Sequence, residues 1–126
     1  MTKAAALQEF YSSFGLNAYE ENSVYDEEND VSFPYLTYEL ITDSFGGSDV
    51  FPSVSLWYRS ELWTAINEKT EEISKAIGRS GLMIPCDDGY IWIKRGSPFA
   101  QSMGDDTDDS VKRKVLKISM EFLTDD

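Results

Sequence analysis

The sequence contains no histidine and a single cysteine, Cys86. Without histidine, the chain lacks the most common general base and the most common metal ligand of proteins. One cysteine excludes an internal disulfide framework and every zinc site built from several cysteines. The sequence also lacks an apolar run as long as a signal peptide or a membrane span needs. We therefore expect a soluble protein made in the cytoplasm.

Basic residues are scarce. The chain has 11 Lys and Arg against 23 Asp and Glu, for a net charge of −12, and residues 4–58 contain no basic residue at all. A surface of this sign repels nucleic-acid phosphates and anionic lipids, which disfavours a conventional DNA-binding role. The simpler interpretation is a solvated acidic loop. The alternative is an acidic surface that faces a basic neighbour, or a channel that must not bind polyanions.

The chain nevertheless has the composition of a folded protein, with 126 residues, 41% of them hydrophobic and 13% aromatic. Apolar residues at helical spacing predict a first helix from Thr2, its N-cap, to Phe14. A second helix is predicted over residues 61–77, with Ser60 as its N-cap and Gly78 as its closing residue.

The rest of the pattern predicts strands. Alternating apolar and polar residues give five of them, at 35–42, 53–59, 82–86, 90–95 and 115–122. Two polar segments are predicted as an acidic loop at 17–32 and a long polar loop at 96–110. The order α-β-β-α-β-β-β predicts a single α+β domain over residues 1–126. Its sheet has about five strands, mainly antiparallel or mixed, with both helices packed on one face.

No motif predicts catalysis, a metal site or a bound cofactor. Cys86 lies at the end of a predicted strand, before Asp87 and Asp88, and lacks the electropositive setting that makes a thiol reactive, which favours an unreactive thiol. The acidic run from Asp105 to Asp109 does not fit a calcium-binding EF-hand, because Ser110 stands where that loop needs glycine and Leu116 where it needs an acid. We expect a protein that is not an enzyme and that carries no cofactor.

Aromatic and basic residues on the predicted strands favour an interaction surface. Two helices can cover only one face of the sheet, although both faces carry large apolar groups. Tyr, Trp and Arg are also enriched at the centres of protein interfaces. Core packing accounts for about half of these side chains, and the second face is expected to be buried by another subunit. The candidate interface residues are Trp57, Arg59, Trp92, Lys94, Arg95 and Phe99.

Three segments carry a resemblance to a known family. They are residues 34–38 (PYLTY), 55–60 (SLWYRS) and 89–101 (GYIWIKRGSPFAQ). In combination and in this order they resemble the tail terminator, or tail completion, proteins of long-tailed bacteriophages and prophages of Gram-positive bacteria. The likeness runs from the first helix to Leu123. These motifs are not catalytic signatures, and the family offers no site residues to transfer.

The resemblance implies a minor structural protein of a siphovirus or prophage virion, located in the viral tail at the head–tail junction. Tail terminators are small α+β proteins that form hexameric rings, cap the tail tube, stop its polymerisation and serve head–tail joining. The implied partners are further copies of the chain, the tail tube protein and a neck (head-completion) protein. DNA passes through the ring without specific binding, and no membrane takes part. The candidate lumen or acidic-surface residues are Glu27, Glu28, Asp30, Asp105, Asp106, Asp108 and Asp109.

Three other interpretations stay open. A head-completion or stopper protein at the neck of the same joint would share the small size and the ring. An acidic DNA mimic that inhibits a nuclease or repressor would use the acidic first half as its binding face. An enzyme is the least favoured, because the usual bases and nucleophiles are missing.

Overall fold

The computed structural model describes residues 1–23, 32–104 and 108–126. Within them the fold is mixed α+β, with two α-helices and a curled six-stranded mixed sheet in the order β1-β2-β3-β6-β5-β4. The α+β class is confirmed, and the sheet has six strands rather than about five. The helices are α1 (Lys3–Ser12) and α2 (Thr64–Ile77). The strands are β1 (Asn17–Glu20), β2 (Tyr35–Tyr38), β3 (Ser53–Arg59), β4 (Leu82–Cys86), β5 (Gly89–Gly104) and β6 (Val111–Thr124).

The first helix begins at a side-chain N-cap, whereas the N-cap position of α2 is Trp63, which makes no side-chain capping hydrogen bond, so the prediction of Ser60 as that N-cap is wrong. The Thr2 hydroxyl accepts a hydrogen bond from the backbone N–H three residues on, at 3.1 Å, as expected of an N-cap. Helix α2 begins at Thr64, three residues later than predicted, because the Ser60 hydroxyl accepts from the Leu62 N–H at 3.1 Å and caps a turn before the helix. Gly78 closes α2 with φ +78°, as predicted.

The segment 17–32 starts with a strand, which corrects its prediction as a loop. Strand β1 pairs in parallel with β2, with Ala18 opposite Leu36, and residues 21–23 form a 3₁₀ turn. The Gln8 side chain on α1 donates a hydrogen bond to the Ala18 carbonyl at 3.0 Å. Strand β1 is therefore stabilised by β2 on one side and by α1 on the other. Residues 24–31 of this segment lie outside the described part of the chain.

The segment 96–110 is also not a loop over most of its length. Strand β5 continues through residues 96–104 and pairs antiparallel with β6, from Ala100 opposite Leu116 to Gly104 opposite Lys112. The register shifts between Arg95 and Ala100, so the stretch with Gly, Ser and Pro forms an irregularity inside the strand and does not end it. The predicted loop shrinks to the connection after residue 104.

The core lies on one face of the sheet, and both helices contribute to it. Strand residues that share this inner face by register, such as Leu36, Leu56 and Ile93, join one buried cluster with residues of α1 and α2. Helix α1 contacts both β1 and β4, which are the two edge strands of the sheet. One helix can touch both edges because the sheet curls around the core.

Candidate interaction surface

The candidate interaction surface lies on the outer face of the sheet, opposite the core. Alternation along the strands and the register place Tyr35, Trp57 and Arg113 side by side on β2, β3 and β6. Tyr19 on β1 extends this row, with its ring centroid 6.2 Å from that of Tyr35. All four side chains are half-buried. We call these four residues the aromatic row.

Local contacts hold the centre of the aromatic row in place. The rings of Tyr35 and Trp57 stack with centroids 6.0 Å apart and planes 13° apart, and the Arg113 guanidinium lies 4.7 Å from the Trp57 centroid. The Trp57 Nε1–H donates to the Thr37 hydroxyl at 2.9 Å, and the Arg113 Nε–H donates to the Ser55 hydroxyl at 3.2 Å. The row is thus ordered before any partner arrives, which lowers the entropic cost of binding.

Arg59, at the end of β3, links the aromatic row to the turn before β6. Its guanidinium lies 4.8 Å from the centroid of the Phe33 ring and donates to the Asp108 carboxylate at 3.0 Å. The same Arg59 nitrogen donates to the Ser110 hydroxyl at 3.2 Å. Arg59 is exposed, so this ion pair adds little to stability by itself. The hydrogen bonds to Asp108 and Ser110 instead hold the Arg59 guanidinium in one orientation beside the outer face.

The Asp108 carboxylate has a pKa below its ordinary range. The hydroxyl and the backbone N–H of Ser110 donate hydrogen bonds to it, and Arg59 adds a further bond and its positive charge. A lowered folded-state pKa stabilises the protein above the ordinary carboxyl pKa of about 4, and that stability is lost as the pH falls through the folded-state value.

We therefore expect Asp108→Asn to lower the urea midpoint at about pH 6, and the difference from wild type to be smaller at about pH 3, below the ordinary carboxyl pKa. Glu68→Gln, at an exposed position on α2, is the matched control, because it removes the same charge without these hydrogen bonds. A midpoint difference for Asp108→Asn that is the same at both pH values would contradict the expectation.

A second patch lies on β5. The Lys94 ammonium lies 4.4 Å from the Trp92 ring centroid, 2.9 Å from Asp49 and 3.7 Å from Glu121. The Trp92 Nε1–H donates to the Ser80 carbonyl at 3.0 Å. The charge of Lys94 is thus balanced within the chain by two carboxylates.

The six predicted interface residues do not form one cluster. Trp57 belongs to the aromatic row, and Arg59 lies at the margin of that row. Trp92 and Lys94 form the separate patch on β5. Arg95 points to the other side of the sheet, where it donates to the Ser74 hydroxyl on α2 at 2.8 Å. Phe99 follows the register shift in β5 and is partly buried against the core.

Two of the seven predicted acidic residues are described. Asp108 forms the ion pair with Arg59, and the Asp109 carbonyl accepts a hydrogen bond from the Lys112 ammonium. The other predictions, Glu27, Glu28, Asp30, Asp105 and Asp106, lie outside the described residues.

Sequence reasoning missed several members of the outer face. Arg113 was missed because the last strand was predicted to begin at residue 115, whereas β6 begins at Val111. Tyr19 was missed because the segment that contains β1 was predicted as a loop. A signal for Tyr35 was present, since the alternation of β2 places it on the face opposite Leu36. Pairing β2, β3 and β6 in register would have brought it to Trp57.

The described residues also bear on two kinds of site considered above. Among them, no group of three or more Cys, Asp or Glu side chains is placed to hold a metal ion. No described helix is long and apolar enough to cross a membrane.

The Cys86 thiol is half-buried, and burial raises its pKa, so that it stays protonated at neutral pH.

Comparison with known proteins adds no relative. No protein-family model matches the chain, and no curated protein and no solved structure matches it either.

Proposed function

We propose that this chain is a non-enzymatic structural protein of a phage virion, a tail terminator that forms a ring on the end of the tail tube. The observation that carries the proposal is the aromatic row. It presents Tyr, Trp and Arg side chains, half-exposed and already ordered, on the sheet face that neither helix covers. These residue types dominate the energetics of protein interfaces. The resemblance of three strand segments to tail terminators gives this interface its identity.

The mechanism is stoichiometric and geometric. Contacts between different surfaces of neighbouring copies close into a ring when the rotation per subunit divides a full turn. One side of the ring then occupies the end of the tail tube, so that no further tube subunit adds. Its other side receives the neck protein in head–tail joining. The aromatic row is the proposed contact with the tube protein.

The charge of the chain suits such a ring. Each chain has a net charge of −12. Carboxylates that face the channel of the ring repel DNA phosphates, so that DNA passes without adhering. The proposal therefore includes no specific DNA contact, no cofactor and no membrane. It locates the protein in the virion, at the head–tail junction.

The test is capping of tail tubes in vitro. The chain is mixed with the tail tube protein of the same gene cluster, and tube lengths are measured by electron microscopy. We expect short tubes with one capped end. We also expect Trp57→Ala to require about tenfold to thirtyfold more protein for the same effect, which corresponds to the loss of a central hot spot. Leu62→Ala is the control, because Leu62 is 67% exposed and lies outside the aromatic row.

Other outcomes would replace the proposal. Tubes of unchanged length together with binding to the neck or portal protein would identify a stopper on the other side of the joint. Tight, salt-sensitive binding to a basic DNA enzyme would identify an acidic DNA mimic. Capping that is insensitive to Trp57→Ala would keep the terminator role and remove the aromatic row from it.

A further inference from the structure

An apolar cavity lies between α1 and the edge strand β4. Its volume is about 460 Å³, within the range of ligand and side-chain pockets. Phe10, Leu82, Ile84 and Cys86 form its apolar lining. Glu9 lies at its rim and is exposed, so the cavity opens at the surface of the protein.

The strand edge beside this cavity is poorly suited to binding another strand. Pro85 on β4 has no N–H to donate, and the Asp87 N–H already donates to the Met1 carbonyl at 2.7 Å. An added strand would find few free donors here. The cavity is therefore better suited to an apolar side chain than to an extended backbone.

The chain has an apolar side chain exposed to solvent, that of Phe45. Phe45 is 73% exposed, in a turn with Gly46 at φ +96°. Its backbone N–H donates to the Thr124 carbonyl at 2.9 Å, which fixes the turn beside the end of β6. An exposed phenylalanine held at the tip of an ordered turn favours a contact with an apolar pocket.

The turn and the cavity are separated by two strands of the sheet. Phe45 is beside Thr124, Thr124 pairs with Gly89 across β6 and β5, and Gly89 pairs with Cys86 across β5 and β4. Because the Phe45 side chain is 73% exposed, it does not fill the cavity of its own chain and can reach the cavity of a second copy.

We propose that Phe45 of one copy inserts into the α1–β4 cavity of a second copy. A protruding side chain on one side and a pocket on the other produce a head-to-tail contact, which repeats around a ring or along a filament. The inference rests on the proposed ring and names the residues of its subunit contact.

The contact is apolar at its centre and has like charges at its margin. These are the carboxylates of Asp43, near Phe45, and of Glu9, at the rim of the cavity. Added salt should therefore strengthen association.

The first test uses Cys86 as a probe, because it is the only thiol of the chain and lies in the cavity. Its rate of reaction with a thiol reagent is measured for the free chain at low concentration, for the concentrated chain and for capped tubes. We expect the rate to fall about tenfold on assembly, since a reagent cannot reach an occupied cavity. Phe45→Ser should abolish both the protection and the assembly. Leu62→Ser, at another exposed apolar residue, should abolish neither.

The second test determines the geometry of the contact. In a Cys86→Ser background that keeps Phe45, Asp43→Cys and Glu9→Cys place one thiol on each side of the contact margin, and mild oxidation should join them between copies, giving a ladder of dimers, trimers and larger species on a non-reducing gel. A disulfide within one chain leaves that chain monomeric and adds no rung to the ladder. Leu62→Cys in place of Asp43→Cys is the matched control and should give no ladder.

The outcomes separate this inference from the proposed function. Capped tubes in which Cys86 reacts as fast as in the free chain, and which also form with Phe45→Ser, would overturn the inference and leave the terminator role intact. A ladder without any capping would support the contact and refute the terminator role. Dimers alone would show a reciprocal pair and overturn the head-to-tail arrangement, and an Asp43→Cys pattern equal to that of Leu62→Cys would overturn the contact itself.

Discussion

Gly89→Ala is expected to destabilise the protein by about 2–5 kcal/mol, among the largest effects of any single methyl group added to this chain. Gly89 begins β5 with φ +154°, and a Cβ built there would lie 2.0 Å from the Leu123 carbonyl oxygen on β6. That oxygen belongs to the backbone of the longest hairpin of the sheet and cannot rotate away. The added methyl group must push β5 and β6 apart where their pairing begins.

Gly104→Ala is the matched control for this prediction. Gly104 lies at the other end of the same strand, and apart from its chain neighbours no heavy atom of the described residues lies within 4 Å of a Cβ built there. We expect a change within about 0.5 kcal/mol of wild type. Urea unfolding followed by circular dichroism measures both variants, and thermal unfolding should show a loss of roughly 4 °C in Tm for each kcal/mol. A Gly89→Ala variant as stable as Gly104→Ala would contradict the steric argument.

Leu56→Ala is expected to cost about 3–5 kcal/mol. Leu56 lies on the interior strand β3, is 0% exposed and belongs to the cluster that joins the sheet to both helices. Removing its branched end loses buried apolar area and leaves a cavity that the paired strands on either side cannot close. Leu36 on β2 stands directly opposite in register and would lose a packing partner as well.

The control for Leu56→Ala is the same substitution at an exposed leucine. Leu62, which is 67% exposed ahead of α2, should change the free energy of unfolding by no more than about 0.5 kcal/mol. The two variants differ by the same atoms, so the difference between them measures burial alone. Equal stabilities would show that β3 is not at the centre of the core.

Sequence patterns predicted best those elements whose limits are marked by residues close by in the chain. Helix α1 was predicted from its N-cap at Thr2, and β3 and β4 were predicted with their observed limits. Each combines a regular apolar period with a clear boundary residue. The turn between β4 and β5 was predicted from Asp87, Asp88 and Gly89, and Asp88 adopts the positive φ, +66°, that such a turn needs.

The elements that sequence patterns missed depend on partners distant in the chain. Strand β1 has four residues and little alternation, and it is a strand because β2 and α1 flank it. The second half of β5 contains Gly96 and Pro98, residues typical of turns, and it remains extended because β6 pairs with it from Leu116 to Lys112. Propensity is a weak guide where such long-range pairing decides the conformation.

The candidate interaction surface was also predicted from the sequence only in part. The residue types of an interface, Trp57 and Arg59 among them, were visible in the sequence, and so were their faces on β3. Their neighbours were not, because Arg113 reaches Trp57 only through the antiparallel register of β3 and β6, across 56 positions of the chain. The same register placed Trp92 and Lys94 in a separate patch and turned Arg95 toward α2.

Composition determined that this chain is strongly acidic, without histidine and with one thiol, and local periodicity indicated the α+β class. Those properties follow from counts and from local periodicity, which do not depend on how distant segments meet. Tertiary structure decided the sixth strand, the order of the sheet, the aromatic row, and the cavity between α1 and β4. The physical reason is that backbone pairing and core packing join residues far apart in sequence, and both are settled only when the curled sheet closes over α1.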